Sequence, residues 1–561
     1  MYARALSLVV AGFLALLLLS QGLTAPFEKD EETRPAGIIV DIVHRGNWML
    51  PADVYGEVTR KPPLYYWLSA VLAEARGGTL DEAGARAVSL IAAALLSVVV
   101  MAYAGAWIGG GAGWLAWLIL IGCYGFCSHA GYARTDMLFT LLIFGAYCLL
   151  YPAVEGKARG RNWLGAGVML GLAILTKGPL ALALCALGIA VYMLLVRRNP
   201  LKLAMRPWPW LTVAVAVAIA ALWYVPALIE THGGIASVQL MQENVGHLVP
   251  ARMGGTGEAS RPFYYMVVRF IGTSLPWSLY LPALIFSFWP LREVPGRQLY
   301  QLSLLIAVLG LFSIASAKRD DYILPAFPPF AIVLAAMIAQ AEWPSAAARL
   351  RDLAGLAAGI AMLVLSAGAL ILSGRGAVLD RLTVHMQSSD ASYLRLFAAG
   401  FGHWRQSIVM LVVAVASVLA LAAWRRGNPR AVVAAVAIAS IAGVSLWIGT
   451  VRPGLAARRT FKTFAIEMRA ATGGQPVYSP GGPDYELSYY YGAPILELGL
   501  KRKGGADSAP RYVLVWDSWL RDRHWSGLRQ AMAPSHPAGD GRRLILLKVE
   551  PNRFELSPGI H

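Results

Sequence analysis

The chain has 561 residues, of which 57% are hydrophobic and 14% are charged, and its formal net charge is +17. A soluble domain carries about one-quarter charged residues, and a single soluble core stops growing at about 250–300 residues. The excess of apolar surface must therefore face lipid, which excludes a soluble globular protein.

The apolar residues are gathered in runs that are each close to the length of a membrane-spanning helix. A helix needs about 20 residues to cross the roughly 30 Å of hydrocarbon. Such runs lie near residues 5–24, 86–107, 112–130, 135–152, 163–177, 179–196, 209–229, 273–289, 299–316, 322–341, 353–373, 406–424 and 430–450. The sequence therefore predicts an all-α polytopic membrane protein with about thirteen transmembrane helices. The first run could also be a signal peptide, but we favour a retained helix because the charge pattern fits thirteen crossings.

Basic residues are concentrated in the short loops on one side of this predicted bundle. With a cytoplasmic N-terminus, the inner loops are 108–111, 153–162, 197–208, 290–298, 342–352 and 425–429. Together with Arg430 they hold fourteen Lys and Arg residues against four acidic residues. Because positive charge in short loops sets orientation, the net charge is a topology signal, and we expect no nucleic-acid partner. The long polar segments then all fall on the outside, at 25–85, 230–272, 374–405 and 451–561.

Two domains are predicted from the change in composition along the chain. A transmembrane domain covers 1–450 and includes the external loop 25–85, and a soluble external α/β domain covers 451–561. In the external loop, the aromatic cluster at 61–67 indicates a helix lying in the membrane interface. The soluble domain is predicted to contain a helix at Phe461–Thr472 and short strands at Pro476–Ser479, Tyr512–Trp516 and Leu544–Val549.

Ionisable residues occur near the outer ends of the predicted spans, where charges are costly and usually functional. They are Asp30, Glu31, Lys61, Arg134, Asp136, Lys177, Lys318, Arg319, Asp320 and Asp321. Taken singly, Lys318 could snorkel to lipid headgroups, and Arg134 and Asp136 could form a surface pair. Residues 28–32 could be a solvated charge run. Their convergence on one face predicts instead a site that binds a lipid-linked anionic group and deprotonates an acceptor.

A series of short motifs follows in order along the chain, after the acidic motif of the first loop. These are Gly-Asn-Trp, Lys-Pro-Pro-Leu-Tyr-Tyr-Trp, Tyr-Ala-Arg-Thr-Asp, Thr-Lys-Gly-Pro, Pro-Phe-Tyr-Tyr and Tyr-Ile-Leu-Pro. In this order they resemble the polyprenyl-phosphate-dependent GT-C glycosyltransferases, and within these the aminoarabinose transferase (ArnT) and protein mannosyltransferase-like group. The resemblance covers nearly the whole chain and implies thirteen spans with a periplasmic C-terminal domain.

The resemblance implies two catalytic carboxylates. A carboxylate of the first external loop would act on the acceptor, and it falls on Glu31, or on Asp30 if the motif is shifted by one residue. The second carboxylate, at the start of the fourth helix, would lie nearby and corresponds to Asp136.

The resemblance also implies residues that bind the donor. Lys61 resembles the lysine that contacts the carrier phosphate, and Tyr322 resembles a tyrosine near that phosphate. Lys177 and Lys318 are expected near the same phosphate, although the role of Lys177 could be structural. No cofactor is certain, but a divalent metal ion is one candidate, with Glu243 and His247 as ligands; His247 taken alone fits an ordinary loop residue better than a ligand.

An inverting glycosyltransferase is the function that this resemblance implies. It would move a sugar from undecaprenyl phosphate to an envelope acceptor at the periplasmic face of the bacterial inner membrane, first expected to be 4-amino-4-deoxy-L-arabinose and lipid A. Protein Ser/Thr or an envelope polysaccharide is the alternative acceptor. A transporter or flippase fits less well, since transporters place charges near the bilayer midplane and often have repeated halves, and the sequence shows neither. We expect a monomer surrounded by membrane lipids.

Overall fold

The apolar runs and the polar C-terminal segment fold into two structurally different parts. The computed structural model describes residues 2–157, 160–236, 238–239, 261–289, 293–340, 345–373, 404–482, 484–498, 511–522, 525–526, 528–538, 542–549 and 555–556. The first part is a bundle of helices, and the second contains a small β-sheet.

The described membrane part is mainly helical, with turns, loops and an isolated β-bridge between Ala52 and Val58. Its helices are Tyr2–Leu19, Lys29–Arg45, Leu64–Ala75, Glu82–Trp107, Gly110–Ile121, Tyr124–Ala130, Asp136–Val154, Gly160–Lys177, Leu180–Leu195, Pro200–Ala204, Pro207–Glu230, Gly234–Ala236, Tyr265–Thr273, Leu281–Ser287, Gly296–Ile314, Phe327–Ala339, Ser345–Ser373, Trp404–Arg425 and Pro429–Leu446. Short 3₁₀ segments lie at Trp277–Tyr280 and Asp320–Ala326. At least one of these helices overlaps each apolar run predicted from the sequence.

The described helices confirm a multi-pass membrane architecture. Nine of them are long and apolar enough to cross a membrane, or up to eleven if each of two bent pairs is one span. The pairs are Gly111–Ile121 with Tyr124–Ala130, bent by 72°, and Tyr265–Thr273 with Trp277–Ser287, bent by 111°. Leu180–Leu195 is apolar but shorter. The count of thirteen crossings, and the retention of the first helix, stay predictions.

Small residues allow close packing between the membrane helices. A Cβ atom on Gly171 would lie 2.7 Å from Cβ of Ile219 and 3.0 Å from the carbonyl oxygen of Ala216. Gly167, one turn earlier, is equally close to the same neighbouring helix. Lipid supplies no hydrophobic driving force between helices, so such close backbone approach is the usual basis of their packing.

The first external loop is more helical and more buried than the sequence suggested. Residues Lys29–Arg45, which we name the loop helix, bury Ile39 and Ile42 completely. The aromatic cluster opens a second helix at Leu64, but Tyr65 is fully buried in the protein. The position of this helix in the membrane interface stays a prediction.

The domain boundary at residue 450 stays a prediction. Helical structure continues across it, through Trp447–Val451 and Arg452–Arg459, before the C-terminal part. Its described helices are Lys462–Thr472, Tyr485–Tyr491 and Asp517–Asp522. Its strands are β1 (Val477–Ser479), β2 (Leu496–Glu497), β3 (Tyr512–Trp516), β4 (Trp525–Ser526), β5 (Leu528–Gln530), β6 (Leu544–Val549) and β7 (Glu555–Leu556). The predicted helix and three strands are confirmed.

The strands form a mixed sheet in the order β2-β1-β3-β6-β5, and β4 pairs with β7. β1 is parallel to β2 and β3, whereas β6 is antiparallel to β3 and β5. The central strand β3 is buried on both faces: Leu514 packs with Met468 and Tyr491, and Val513 packs with Leu547. The sheet therefore has helices on one face and a second, smaller apolar cluster on the other.

Candidate active site

Two neighbouring cavities open among the residues that the sequence singled out. Cavity A has a volume of about 470 Å³ and is lined by Glu31, Arg34, Pro35, Ile38, Thr59, Arg60, Lys61, Tyr66, Arg134, Thr135, Asp136, Lys177, Arg319, Asp321, Tyr322 and Tyr485. Cavity B has a volume of about 460 Å³ and is lined by Glu31, Tyr124, Gly125, Ser128, His129, Tyr132, Arg134, Arg261, Arg269, Thr273, Lys318, Arg319, Asp320, Asp321 and Ile323.

Glu31 lies at the junction of the two cavities. It lines both of them, as do Arg134, Arg319 and Asp321. The Arg134 guanidinium is 3.2 Å from Glu31 Oε2, and the Arg319 guanidinium is 3.6 Å from Glu31 Oε1. The Glu31 side chain is still 56% exposed. It is thus a carboxylate held between two cations that a ligand in either cavity can reach.

A buried group of charges forms the inner wall of cavity A. Lys177 Nζ donates a hydrogen bond to Asp136 and lies 3.9 Å from Asp321 Oδ2. All three side chains are less than one-tenth exposed. Buried carboxylates are stable only when they are paired, and Lys177 is a cationic partner of both Asp136 and Asp321. The Lys177 ammonium also lies 5.0 Å from the ring centre of Tyr322.

Helix ends bring these charges together. Asp136 is the first residue of its helix and Lys177 is the last residue of the next one. Carboxylates are favourable at a helix N-terminus and ammonium groups at a C-terminus. Asp321 and Tyr322 lie in the 3₁₀ segment Asp320–Ala326. The expectation that Asp136 and Arg134 form a surface pair is wrong, because Asp136 pairs with Lys177 and Arg134 with Glu31.

Lys61 reaches cavity A from a constrained turn in the external loop. Thr59 Oγ1 donates to the Lys61 carbonyl oxygen at 2.9 Å and accepts from the Lys61 amide at 3.2 Å. Two prolines follow Lys61 and lead directly into the helix that begins at Leu64. The structure therefore brings Lys61, Tyr322 and Lys177 to one cavity, as the sequence led us to expect.

Lys318 lies in cavity B and does not line cavity A. Its ammonium donates to the Ala315 carbonyl oxygen at 2.6 Å, and the residue is 8% exposed. Burial lowers the pKa of Lys318. It neither snorkels outward nor joins Lys61, so the predicted grouping of these two lysines does not hold in space.

Glu32 does not belong to a solvated charge run. It is fully buried, and its carboxylate accepts hydrogen bonds from the Arg86 guanidinium at 2.6 and 2.8 Å. Burial alone would raise the pKa of Glu32, but the hydrogen bonds and charge of Arg86 hold it below its usual value. Glu28 pairs with Arg452 at 2.8 Å. The side chain of Asp30 lies outside the described part of the chain.

Arg86 was not recognised as a site residue from the sequence. Asp81 caps the helix by accepting from the Gly84 amide at 2.7 Å, so the helix begins at Glu82, before the predicted start at 86. Arg86 therefore lies within the helix, where it also donates to the carbonyl oxygens of Leu23 and Ala25. A charged residue inside a membrane helix was the available signal.

Cavity B contains further residues that the sequence reasoning missed. Arg269 and Arg261 both pair with Asp320, whose carboxylate also accepts from the Tyr265 hydroxyl at 2.6 Å. His129 Nδ1 lies 2.6 Å from the Gly125 carbonyl oxygen. Among the described residues that line this cavity, five are basic, namely Arg134, Arg261, Arg269, Lys318 and Arg319, and three are carboxylates, namely Glu31, Asp320 and Asp321. This excess of positive charge favours an anionic ligand.

Metal binding stays a prediction. Within the described ranges, no group of three or more His, Cys, Asp or Glu residues could hold a metal ion. Glu243 and His247, the predicted ligands, lie outside those ranges.

The chain is similar in sequence to known glycosyltransferases. A family model described as dolichyl-phosphate-mannose-protein mannosyltransferase matches residues 60–224. Undecaprenyl phosphate-alpha-4-amino-4-deoxy-L-arabinose arabinosyl transferases from Enterobacter sp. and Aeromonas salmonicida are 28% and 29% identical. These alignments cover 58% of this chain and 58% of the Enterobacter protein, and 55% and 56% for Aeromonas. The matched region thus spans less than two thirds of either relative.

The structural similarity extends over almost the whole molecule. ArnT from Cupriavidus metallidurans, in a crystal structure with bound undecaprenyl phosphate, superposes with a TM-score of 0.75 over 97% of each chain, at 19% identity. The fold is that of ArnT. The predicted GT-C type architecture, helices with a C-terminal α/β part, is therefore confirmed, and so is the resemblance to ArnT stated from the motifs.

Proposed function

We propose that the chain is a membrane glycosyltransferase that moves a sugar from undecaprenyl phosphate to an anionic envelope acceptor. The observation that carries this proposal is the position of Glu31, which is exposed at the junction of two cavities with cationic walls. A transferase needs two substrate sites that meet at a reacting group. The names of the relatives favour 4-amino-4-deoxy-L-arabinose as the sugar. Lipid A is the first acceptor that we propose to test.

Cavity A suits the lipid-linked donor. Six basic residues line it, namely Arg34, Arg60, Lys61, Arg134, Lys177 and Arg319, against the three carboxylates of Glu31, Asp136 and Asp321. When the bond between sugar and phosphate breaks, negative charge grows on the leaving phosphate, and fixed cations lower the free energy of that state. Lys61 lines this cavity and resembles the lysine that contacts the carrier phosphate in the ArnT-like group, so we assign the contact with the phosphate to it.

Cavity B suits an acceptor that carries negative charge, because of its excess of basic residues. Glu31 would orient an acceptor phosphate that is already ionised, or take the proton from an acceptor hydroxyl. Attack by the acceptor on the face opposite to the leaving phosphate would invert the configuration of the sugar carbon. Asp136, predicted to be catalytic, would act through Lys177 by fixing its position, since the two side chains are paired.

Turnover by purified protein tests this assignment. With a synthetic polyprenyl-phosphate sugar as donor, Glu31→Gln should lower kcat by about 10²–10⁴-fold, and Lys61→Ala should lower it as well because the leaving phosphate loses a cation. Glu74→Gln is the matched control, since Glu74 is an exposed carboxylate of the same loop that lines neither cavity. Turnover of Glu31→Gln equal to that of Glu74→Gln would exclude Glu31 from the reaction.

The nature of the acceptor is tested separately. The family model matched by residues 60–224 is described as a protein mannosyltransferase, so a protein hydroxyl is the second candidate acceptor. Lipid A extracted from cells with and without the protein should differ by the mass of the sugar. If lipid A is unchanged while a protein gains the sugar, the protein acceptor is correct.

We also propose that transfer occurs at the periplasmic face of the inner membrane, because the site lies on the side away from the basic loops.

A further inference from the structure

We propose that Tyr485, a residue of the soluble C-terminal part, contacts the sugar of the donor in cavity A. The inference rests on the proposed function and deepens it, because it assigns recognition of the sugar in part to a segment without any catalytic motif. Among the described residues that line cavity A, Tyr485 alone belongs to the part of the chain after residue 451. Lys61, our candidate for the donor phosphate, lines the same cavity.

Contacts with the first external loop hold the Tyr485 ring in place. The Arg34 guanidinium carbon lies 5.2 Å from the ring centre, a cation–π distance. Arg34 is itself held by Asp53 and Glu57, each at 2.9 Å. On another side, the Tyr55 ring meets the Tyr485 ring edge to face, with ring centres 5.1 Å apart. An aromatic side chain fixed by neighbours from two elements loses little entropy when a ligand binds.

Backbone contacts fix the helix that carries this tyrosine. The Asp484 amide donates to the Tyr55 hydroxyl at 2.8 Å, and that hydroxyl is 2.7 Å from Ser488 Oγ. Tyr55 therefore docks the N-terminal turn of the helix Tyr485–Tyr491 on the external loop. The position of Tyr485 in cavity A is a consequence of this docking and does not depend on an extended, mobile side chain.

The Tyr485 hydroxyl is available to a ligand. It makes no hydrogen bond to any residue that the structure describes, although its neighbour Tyr55 makes several. Burial raises the pKa of Tyr485, so the phenol stays protonated and can both donate and accept. A sugar that leaves water must replace the hydrogen bonds of its hydroxyl and amino groups. Tyr485 lines the same cavity as Lys61, our candidate for the phosphate contact, and its hydroxyl can meet that need.

Binding of two ligands that differ only in the sugar tests the inference. We would measure the affinity of undecaprenyl phosphate and of the same lipid phosphate with its sugar attached. Tyr485→Phe removes only the hydroxyl and should weaken the sugar-bearing ligand roughly tenfold, as expected for one hydrogen bond. Its affinity for undecaprenyl phosphate should stay unchanged. Tyr489→Phe is the matched control, because Tyr489 is on the same helix and does not line cavity A.

The outcomes separate this inference from the proposed function. If the unmodified protein binds neither ligand, the proposed donor is wrong. Suppose that the unmodified protein binds both ligands. If Tyr485→Phe and Tyr485→Ala then bind the sugar-bearing ligand as well as Tyr489→Phe does, the inference about Tyr485 is wrong, and the proposed donor is still supported. Equal weakening of both ligands by Tyr485→Phe would also overturn the inference, because it would show an effect on docking and not on the sugar.

Discussion

Glu31 and Glu32 are neighbours in the sequence, yet the loop helix gives them opposite environments. Glu31 is half-exposed where cavities A and B meet, whereas Glu32 is fully buried against Arg86. Successive residues of an α-helix point about 100° apart, since one turn takes 3.6 residues. The loop helix can therefore present the Glu31 carboxylate to ligands while the Glu32 carboxylate anchors the helix to Arg86.

The different burial of Glu31 and Glu32 predicts that one carboxylate supports activity and the other supports the stability of the protein. A buried ion pair is costly to break, because the remaining charge stays in a medium that solvates it poorly. An exposed ion pair contributes about 0–1 kcal/mol to stability, because water solvates both partners. Changes around Glu32 should consequently affect the free energy of unfolding, whereas changes around Glu31 should affect transfer.

The largest effect is expected from Arg86→Met. This change leaves the Glu32 carboxylate buried without its main partner, and it should destabilise the protein by about 3–5 kcal/mol. Thermal unfolding in detergent measures it. Glu31→Gln should leave the unfolding temperature unchanged, because its partners Arg134 and Arg319 stay in contact with other charges or solvent.

A double variant strengthens this comparison. Glu32→Gln combined with Arg86→Met removes both charges, so it should recover part of the lost stability. If Arg86→Met and Glu31→Gln lower the unfolding temperature equally, the two carboxylates do not have separate roles.

Acid pH should have the next largest effect, and it should act through Glu32. The pKa of Glu32 is held below its usual value of 4.5 by Arg86 despite burial. The ionised carboxylate therefore stabilises the folded state fully above about pH 4.5, and this stabilisation is lost as the pH falls toward the lowered pKa. The unfolding temperature of the unmodified protein should fall as the pH is lowered over this range.

Glu32→Gln provides the control for the pH effect, because its amide does not titrate. Its unfolding temperature should be lower at neutral pH and should fall less steeply below pH 4.5. A parallel pH dependence in the two proteins would show that another carboxyl group is responsible.

The sequence predicted the membrane helices well, because lipid imposes a simple rule on them. A segment in hydrocarbon must be apolar, about 20 residues long and hydrogen-bonded within itself. The same topology predicted that Lys61, Asp136 and Lys177 lie on one face of the membrane, and the structure brings the three residues to cavity A. The strands β2, β4, β5 and β7 were not predicted, because each has only two or three residues and an alternating pattern hardly shows at that length.

The details of the site depend on contacts between segments that are distant in sequence. Lys177 is the last residue of its helix and Lys318 lies four residues after the end of another. Nothing in their local sequence shows that Lys318 lines cavity B and Lys177 lines cavity A. Tyr485 reaches cavity A through contacts of its helix with distant segments, among them Tyr55, more than four hundred residues earlier. Local patterns cannot encode such packing, so these residues became visible only in the structure.

The smallest effect is expected from Arg134→Lys, which sharpens the assignment of Glu31 to activity. Arg134 is 3.2 Å from Glu31, and its planar guanidinium holds a carboxylate in a fixed direction better than an ammonium does. We expect kcat to fall roughly tenfold with little change in the KM of the donor or in the unfolding temperature. Arg76→Lys, in an exposed pair with Asp81 remote from both cavities, is the matched control. If Arg134→Lys lowered kcat no more than Arg76→Lys does, the direction of Glu31 would not matter for transfer. A lowered unfolding temperature would instead give Arg134 the anchoring role that Arg86 has for Glu32.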